Sequence, residues 1–232
     1  MITGIVVAAG SGERLAAGVP KGFVVLAGEP LLVHAARALA PSCDAVVVVV
    51  GEGQVAAAGG VLADAGLEAF VCAGGATRAD SVAAGLAACP SGTEVVAVHD
   101  AARPLAGERL IRRTVAALQA PWDAVAPGLQ VVDTLKLVDP AREGRVVRTV
   151  DRRSLWAVQT PQVFASATLE RAHAGLGGHA VTDDLELVER AGGRVRLVAG
   201  ERRNLKVTFS EDLAIAAALL AAGRAASGRV EP

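Results

Sequence analysis

The chain has 232 residues, and with 52% of them hydrophobic it can fill the core of one large domain. A formal net charge of −1 excludes a general electrostatic pull toward nucleic acid or acidic membranes, and 3% aromatic residues with no Tyr leave no stacking platform for single strands. Cys43, Cys72 and Cys89 are odd in number and widely spaced, which fits neither a disulfide framework nor a zinc site.

In chain order, Ile2 to Ala8 reads as a first strand with no basic segment before it, so no signal peptide is expected. Helix Leu31 to Leu39, strand Ala45 to Val50, helix Gln54 to Ala65 and strand Glu68 to Cys72 follow. Helix Ala79 to Ala88, strand Glu94 to Val98, helix Glu108 to Leu118 and strand Ala124 to Pro127 continue the alternation. Apolar runs such as Ala45 to Val50 are too short to span a bilayer, and Gly223 and Arg224 interrupt the Ala-rich C-terminal run, so a cytoplasmic location is expected. Continuous apolar strands separated by helices predict a mostly parallel, Rossmann-like sheet in a three-layer α/β/α sandwich, with ligands beyond the carboxyl ends of the strands.

The rhythm breaks between Val131 and Val150. Thr134 to Val138 and Arg145 to Val150 flank Asp139-Pro140-Ala141-Arg142-Glu143-Gly144 and predict a β-hairpin inserted into a single domain covering residues 1–232. Its apolar side needs a covering surface, either a second subunit or its own domain. Farther on, Thr182-Asp183-Asp184-Leu185 and Ser210-Glu211-Asp212-Leu213 read as helix starts with a hydroxyl cap and first-turn acids.

Three of the 23 basic residues are lysines, Lys21, Lys136 and Lys206, so a compact ammonium is kept at few places in a chain that otherwise prefers arginine. Lys21 ends Ala8-Ala9-Gly10-Ser11-Gly12-Glu13-Arg14-Leu15…Pro20-Lys21, a glycine-rich turn after the first strand. Gly10 and Gly12 let backbone amides approach a triphosphate, and Arg14 and Lys21 add fixed positive charge. The spacing is neither G-x-G-x-x-G, because Leu15 stands at the third glycine, nor a Walker loop, because no G-K-[ST] follows. Asp100, in His99-Asp100-Ala101-Ala102-Arg103-Pro104, either serves a Mg²⁺ that keeps most of its oxygen ligands from water and substrate phosphates or merely caps the following turn. His99 faces the other way from Asp100 along a strand and reads as structural. Gly74-Gly75-Ala76-Thr77-Arg78-Ala79-Asp80-Ser81 joins a strand to a helix and either reads a base and ribose or merely caps that helix. Arg152 and Lys206 are candidate cations for an anionic co-substrate. Asp183 and Asp184 read as helix-terminus residues first and as acceptors for a substrate hydroxyl second.

These segments, with Asp133-Thr134, Thr149-Val150-Asp151-Arg152, Gln159-Thr160-Pro161-Gln162, Thr182-Asp183 and Asn204-Leu205-Lys206-Val207-Thr208, recur in order along almost the whole chain. The ordered set resembles the 2-C-methyl-D-erythritol 4-phosphate cytidylyltransferase family. The resemblance implies a Mg²⁺-dependent reaction of CTP with a polyol phosphate and a homodimer joined through the hairpin, here about 131–155, which lends Arg152 to the neighbouring site. It implies Arg14 and Lys21 as transition-state stabilisers, Arg152 and Lys206 as substrate-positioning cations and Asp100 as the metal ligand. Ala8, Ala9, Gly10, Gly12, Gly75 and Ser81, with Arg78, fall at the CTP pocket, and Arg103, Thr134, Thr160 and Thr182 at the second substrate. The chain departs from the family pattern at Gly22, Ala76 and Asp184.

Three other readings stand beside this one. A ribitol-5-phosphate cytidylyltransferase shares the first loop and the His99 to Pro104 block. A dinucleotide-binding oxidoreductase would need a third loop glycine and an acid closing the second strand, where Leu15 and Val50-Gly51 stand. A non-catalytic nucleotide-binding module would bind CTP and release no pyrophosphate.

Overall fold

The computed structural model describes residues 1–10, 12, 15, 18–175 and 181–227. Its first half alternates strands and helices: β1 (Ile2–Val7), a small β2–β3 hairpin (Val25–Leu26 and Glu29–Pro30), α1 (Leu31–Leu39), β4 (Ala45–Val50), α2 (Val55–Asp64), β5 (Phe70–Ala73), α3 (Arg78–Ala87), β6 (Val95–Asp100), α4 (Glu108–Ala116) and β7 (Ala124–Gln130). The second half holds β8 (Leu135–Val138), β9 (Val146–Val150), β10 (Trp156–Val158), β11 (Gln162–Ala165), α5 (Ser166–Ala174), α6 (Asp184–Arg190), β12 (Val195–Ala199) and α7 (Ser210–Ser227).

β1 lies between β4 and β6, parallel to both, and β5 extends the sheet beyond β4. β11 runs antiparallel between β6 and β7. Val125 of β7 pairs with Val163 on one side and Arg196 of β12 on the other, so β12 closes the far edge, parallel to β7. The expected mostly parallel sheet is present, with β10 and β11 as its antiparallel members.

The five consecutive valines of β4 divide between two cores by the period of two. Val46, Val48 and Val50 pack with Leu32, Ala36 and Leu39 of α1, Leu62 of α2 and Ile111 of α4. Val47 and Val49 pack with Val82 of α3, Leu169 of α5 and Val188 of α6. Helices therefore cover both faces, which is the three-layer sandwich. A third, smaller cluster joins Leu26, Leu31, Leu105 and Val207 to Ala216 of α7.

Two boundaries differ from expectation in ways that matter. β6 does not stop at Val98: His99 and Asp100 pair with Val6 and Val7 of β1, so the ladder carries both residues on the strand rather than in a following loop. The start of α6 is capped by Asp183, whose carboxylate accepts from the Glu186 amide at 3.0 Å, and Thr182 bonds to the Glu186 side chain instead of capping. A carboxylate one position nearer the helix takes the cap from the hydroxyl.

β8 and β9 form their own two-stranded sheet outside the sandwich, with a register shift between Leu137 and Val138. No helix among the described residues is long and apolar enough to cross a membrane.

Candidate active site

The carboxyl ends of β1, β5 and β6 open into one cleft of ≈ 680 Å³. Ala8, Ala9, Gly10 and Gly12 line it from the first loop, and Gly75, Arg78 and Ser81 from the β5–α3 turn. Lys21, Asp100 and Lys206 complete its charged surface. The two lysines come from opposite ends of the chain. Arg14 lies outside the described residues.

The first loop returns on itself because Gly12 adopts φ +74°, a left-handed conformation that glycine reaches without steric cost. A Cβ at Gly12 would come within 2.8 Å of the Lys21 Cβ, so the glycine also lets the lysine segment close over the loop. The Lys21 amide donates to the Gly10 carbonyl at 3.3 Å and fixes that closure. The second turn is as tight: a Cβ on Gly74 would lie 2.6 Å from the Ser81 hydroxyl and one on Gly75 2.4 Å from the Asp80 Cβ. Thr77 and Asp80 form a capping box at the start of α3, as the structural alternative had it. Arg78, the first residue of that helix, is nonetheless not a solvated surface residue.

Arg78 Nη1 donates to Asp184 Oδ2 at 2.6 Å, and its Nε faces Asp100 Oδ1 at 3.5 Å. Lys206 Nζ donates to Asp100 Oδ2 at 2.6 Å. Burial alone would raise the Asp100 pKa, but Arg78 and Lys206 overcome it and hold the carboxyl far below the usual range, so Asp100 is ionised at any working pH. His99, its neighbour on β6, is fully buried on the opposite side, with Nδ1 on the Thr160 hydroxyl at 2.8 Å and Nε2 on the Arg103 carbonyl at 3.0 Å. Burial pushes its imidazole down to about 4, against the pull of Asp100, so the ring is neutral and structural.

Lys206 is held by a buried polar network. Asn204, with no exposed surface, donates to the Thr160 carbonyl at 2.8 Å, and its own carbonyl accepts from Arg103 at 2.9 Å and Gln159 at 3.2 Å. The Val207 amide reaches the Ala102 carbonyl at 2.8 Å. Arg103 also donates to the Val158 carbonyl, and Thr160 accepts from the Asp100 amide. Arg103 and Thr160 thus bond inside the protein and do not line the cleft. Gln159 and Asn204 were not singled out as site residues in the sequence; the Gln159-Thr160-Pro161-Gln162 and Asn204 to Thr208 segments were the only signal of them.

Thr182 flanks a separate hollow with Asp183, Glu186 and Glu189. Thr134 and Arg152 sit on the hairpin, and Arg152 Nη1 contacts the Val132 carbonyl at its base. Neither lines this chain's own cleft.

The family model for 2-C-methyl-D-erythritol 4-phosphate cytidylyltransferase matches residues 2–222. The chain belongs to that family. The 2-C-methyl-D-erythritol 4-phosphate cytidylyltransferase of Saccharopolyspora erythraea is 46% identical over 225 residues, covering 95% of this chain and 99% of the relative. A bifunctional enzyme IspD/IspF of Anaeromyxobacter dehalogenans is also 46% identical, over 95% of this chain, which spans 57% of that relative's length. Among solved structures, the 4-diphosphocytidyl-2C-methyl-D-erythritol synthase of Anaerococcus prevotii superposes with a TM-score of 0.82 at 28% identity, covering 95% of this chain and 96% of that one. The chain is accordingly a nucleotidyltransferase of the cytidylyltransferase family with a Rossmann-like α/β fold, and membership sets aside the oxidoreductase reading.

Proposed function

We propose that the chain transfers CMP from CTP to the phosphate of 2-C-methyl-D-erythritol 4-phosphate, giving 4-diphosphocytidyl-2-C-methyl-D-erythritol and pyrophosphate for isoprenoid precursor biosynthesis. It does so in the cytoplasm, as a homodimer joined through the β8–β9 arm. The observation that carries the reading is the meeting of Lys21, Arg78, Lys206 and Asp100 in one glycine-lined cleft at the strand ends.

The mechanism follows from charge. The attacking phosphate monoester already carries about −1.5 to −2 near neutral pH, so its oxygen needs no strong base. That oxygen forms a bond to the α-phosphorus of CTP as the bond to the β-phosphate oxygen breaks and pyrophosphate leaves with the electron pair. The barrier lies in bringing two polyanions together in line. Amides around Gly10 and Gly12 hold the triphosphate, and Arg14 and Lys21 stabilise charge growing at the α-phosphate. Lys206, and Arg152 with Thr134 from a partner subunit's arm, position the second phosphate. Arg103 and Thr160 serve the same substrate by fixing Asp100 and the Lys206 loop.

The donor set fits a hard divalent cation: Asp100 is ionised and is the one carboxylate among the described cleft residues. No group of three or more His, Cys, Asp or Glu among the described residues forms a closed cage. One carboxylate suits Mg²⁺, which keeps waters and binds substrate phosphates. Asp100 would hold the ion, which when bound supplies positive charge to the phosphates.

Pyrophosphate release from CTP, measured separately with 2-C-methyl-D-erythritol 4-phosphate and ribitol 5-phosphate, tests the reading. Release with the first alone is expected. Equal or faster release with ribitol 5-phosphate, or none with either, would overturn it.

A further inference from the structure

Asp184 has no exposed surface, lies at the first position of α6 and lines no part of the cleft. A carboxylate so placed is costly unless it is ionised against a cation and hydrogen-bonded. Its cation is Arg78, 106 residues earlier, whose Nη1 sits 2.6 Å from Oδ2. Behind it, His173 Nε2 of α5 stands 3.4 Å from Oδ1, and the Asp184 amide donates to the Gln162 side-chain oxygen at 3.3 Å.

Arg78 is the one member of this set that reaches the cleft, where its side chain keeps 28% of its surface exposed. An arginine side chain has several rotatable bonds, and left to itself at the mouth of a turn it would sample solvent. With one nitrogen fixed on Asp184 and Nε turned to Asp100, the guanidinium is held at the point where the Gly75 turn meets the end of β6. Tying α3 to α6 does not by itself need a charge: an apolar pair of similar volume holds helices together as well or better. What the apolar pair would not supply is a guanidinium of fixed direction at the nucleotide turn.

We infer that Asp184 is a positioning residue for the nucleotide, acting through Arg78. The inference rests on the cleft being the CTP site, as proposed above. Its sign is specific: Asp184 touches no ligand, so its removal acts on CTP and not on the polyol phosphate, and only while Arg78 is present.

The test is CTP binding by calorimetry to the purified full chain, with both KM values and thermal unfolding measured beside it. For Asp184→Asn a Kd for CTP weaker by roughly tenfold is expected, in the range of a lost charged hydrogen bond, with the KM of the polyol phosphate unchanged within about twofold. Asp184→Glu, which keeps the charge, should recover part of the loss. In an Arg78→Ala background, Asp184→Asn should weaken CTP binding no further. If Arg78→Ala alone does not fold, because it strands a buried carboxylate, Arg78→Lys takes its place, and the same non-additivity is expected. Wild-type affinity in Asp184→Asn, an equal rise in both KM values, or full additivity with the Arg78 variant would overturn the role of Asp184 while leaving the CTP site standing. A wild-type chain that binds no CTP would overturn both.

Discussion

Around Asp100, side chains from α3, β6, α6 and the segment before α7 satisfy one another: Arg78 lies between two carboxylates, Lys206 closes on one of them, and Asn204 and Gln159 hold the lysine's loop from beneath. The β8–β9 arm shows the reverse. Leu135, Leu137, Val138, Val146 and Val147 are 37–58% exposed, and the Arg152 guanidinium donates to the backbone carbonyl of Val132 in its own hairpin. A two-stranded hairpin is marginal by itself in water and needs an apolar face to be covered. The charged groups around Asp100 pair with one another inside one chain, whereas among the described residues nothing covers the arm's exposed apolar side chains. That contrast is the physical argument for a site assembled from two copies.

The largest expected effect falls on the self-contained side. By analogy with one lost oxyanion donor, Lys21→Ala should lower kcat about 10²- to 10³-fold, roughly 3 to 4 kcal/mol, with folding intact by circular dichroism. Near-wild-type turnover would remove Lys21 from the chemistry. On the arm, Val147→Asp places a charge where an interface would bury it. It should convert dimer to monomer in sedimentation velocity and lower turnover by roughly tenfold or more, while CTP affinity stays near wild type. A monomeric variant with full turnover would break the contrast.

A smaller pair of effects separates shape from ligand contact within the cleft. Gly74→Ala forces a Cβ to 2.6 Å from the Ser81 hydroxyl and should cost about 1 to 3 kcal/mol, lowering Tm by several degrees. Gly10→Ala meets nothing within 4 Å and should leave Tm unchanged while weakening CTP, because only a bound triphosphate needs that close approach. Equal Tm losses in the two would show that both glycines serve packing.

The first half of the fold was legible because its signals are local. The apolar run of β4 is bounded by Asp44 and Gly51, and α1 by Pro30, so both agree to the residue with the expected spans. β10, β11 and β12 are three to five residues long, and α5 holds a single large apolar residue, Leu169, so none of the four was expected. The same divide runs through the cleft. Gly10, Gly12, Lys21 and Asp100 stand in short segments whose chemistry is readable in place, and the structure brings them together. Asp184 resembled a helix-end acid because its partner Arg78 is 106 residues away, and nothing near it in the chain announces a buried charge. The hydroxyl caps expected at Thr182 and Ser210 failed for local reasons: Asp183 caps α6 in place of Thr182, and α7 begins on Ser210 itself, whose hydroxyl donates to Glu211.

Mixing two inactive variants tests the two-copy site most directly. Lys21→Ala and Arg152→Ala, each nearly dead alone, should regain about one quarter of wild-type activity when combined and allowed to exchange subunits. Half of the dimers formed at random are mixed, and each of those holds one site with both cations intact. Activity that stays at the level of the separate variants, in a sample shown to contain mixed dimers, would mean that each chain completes its own site, and the account would be wrong.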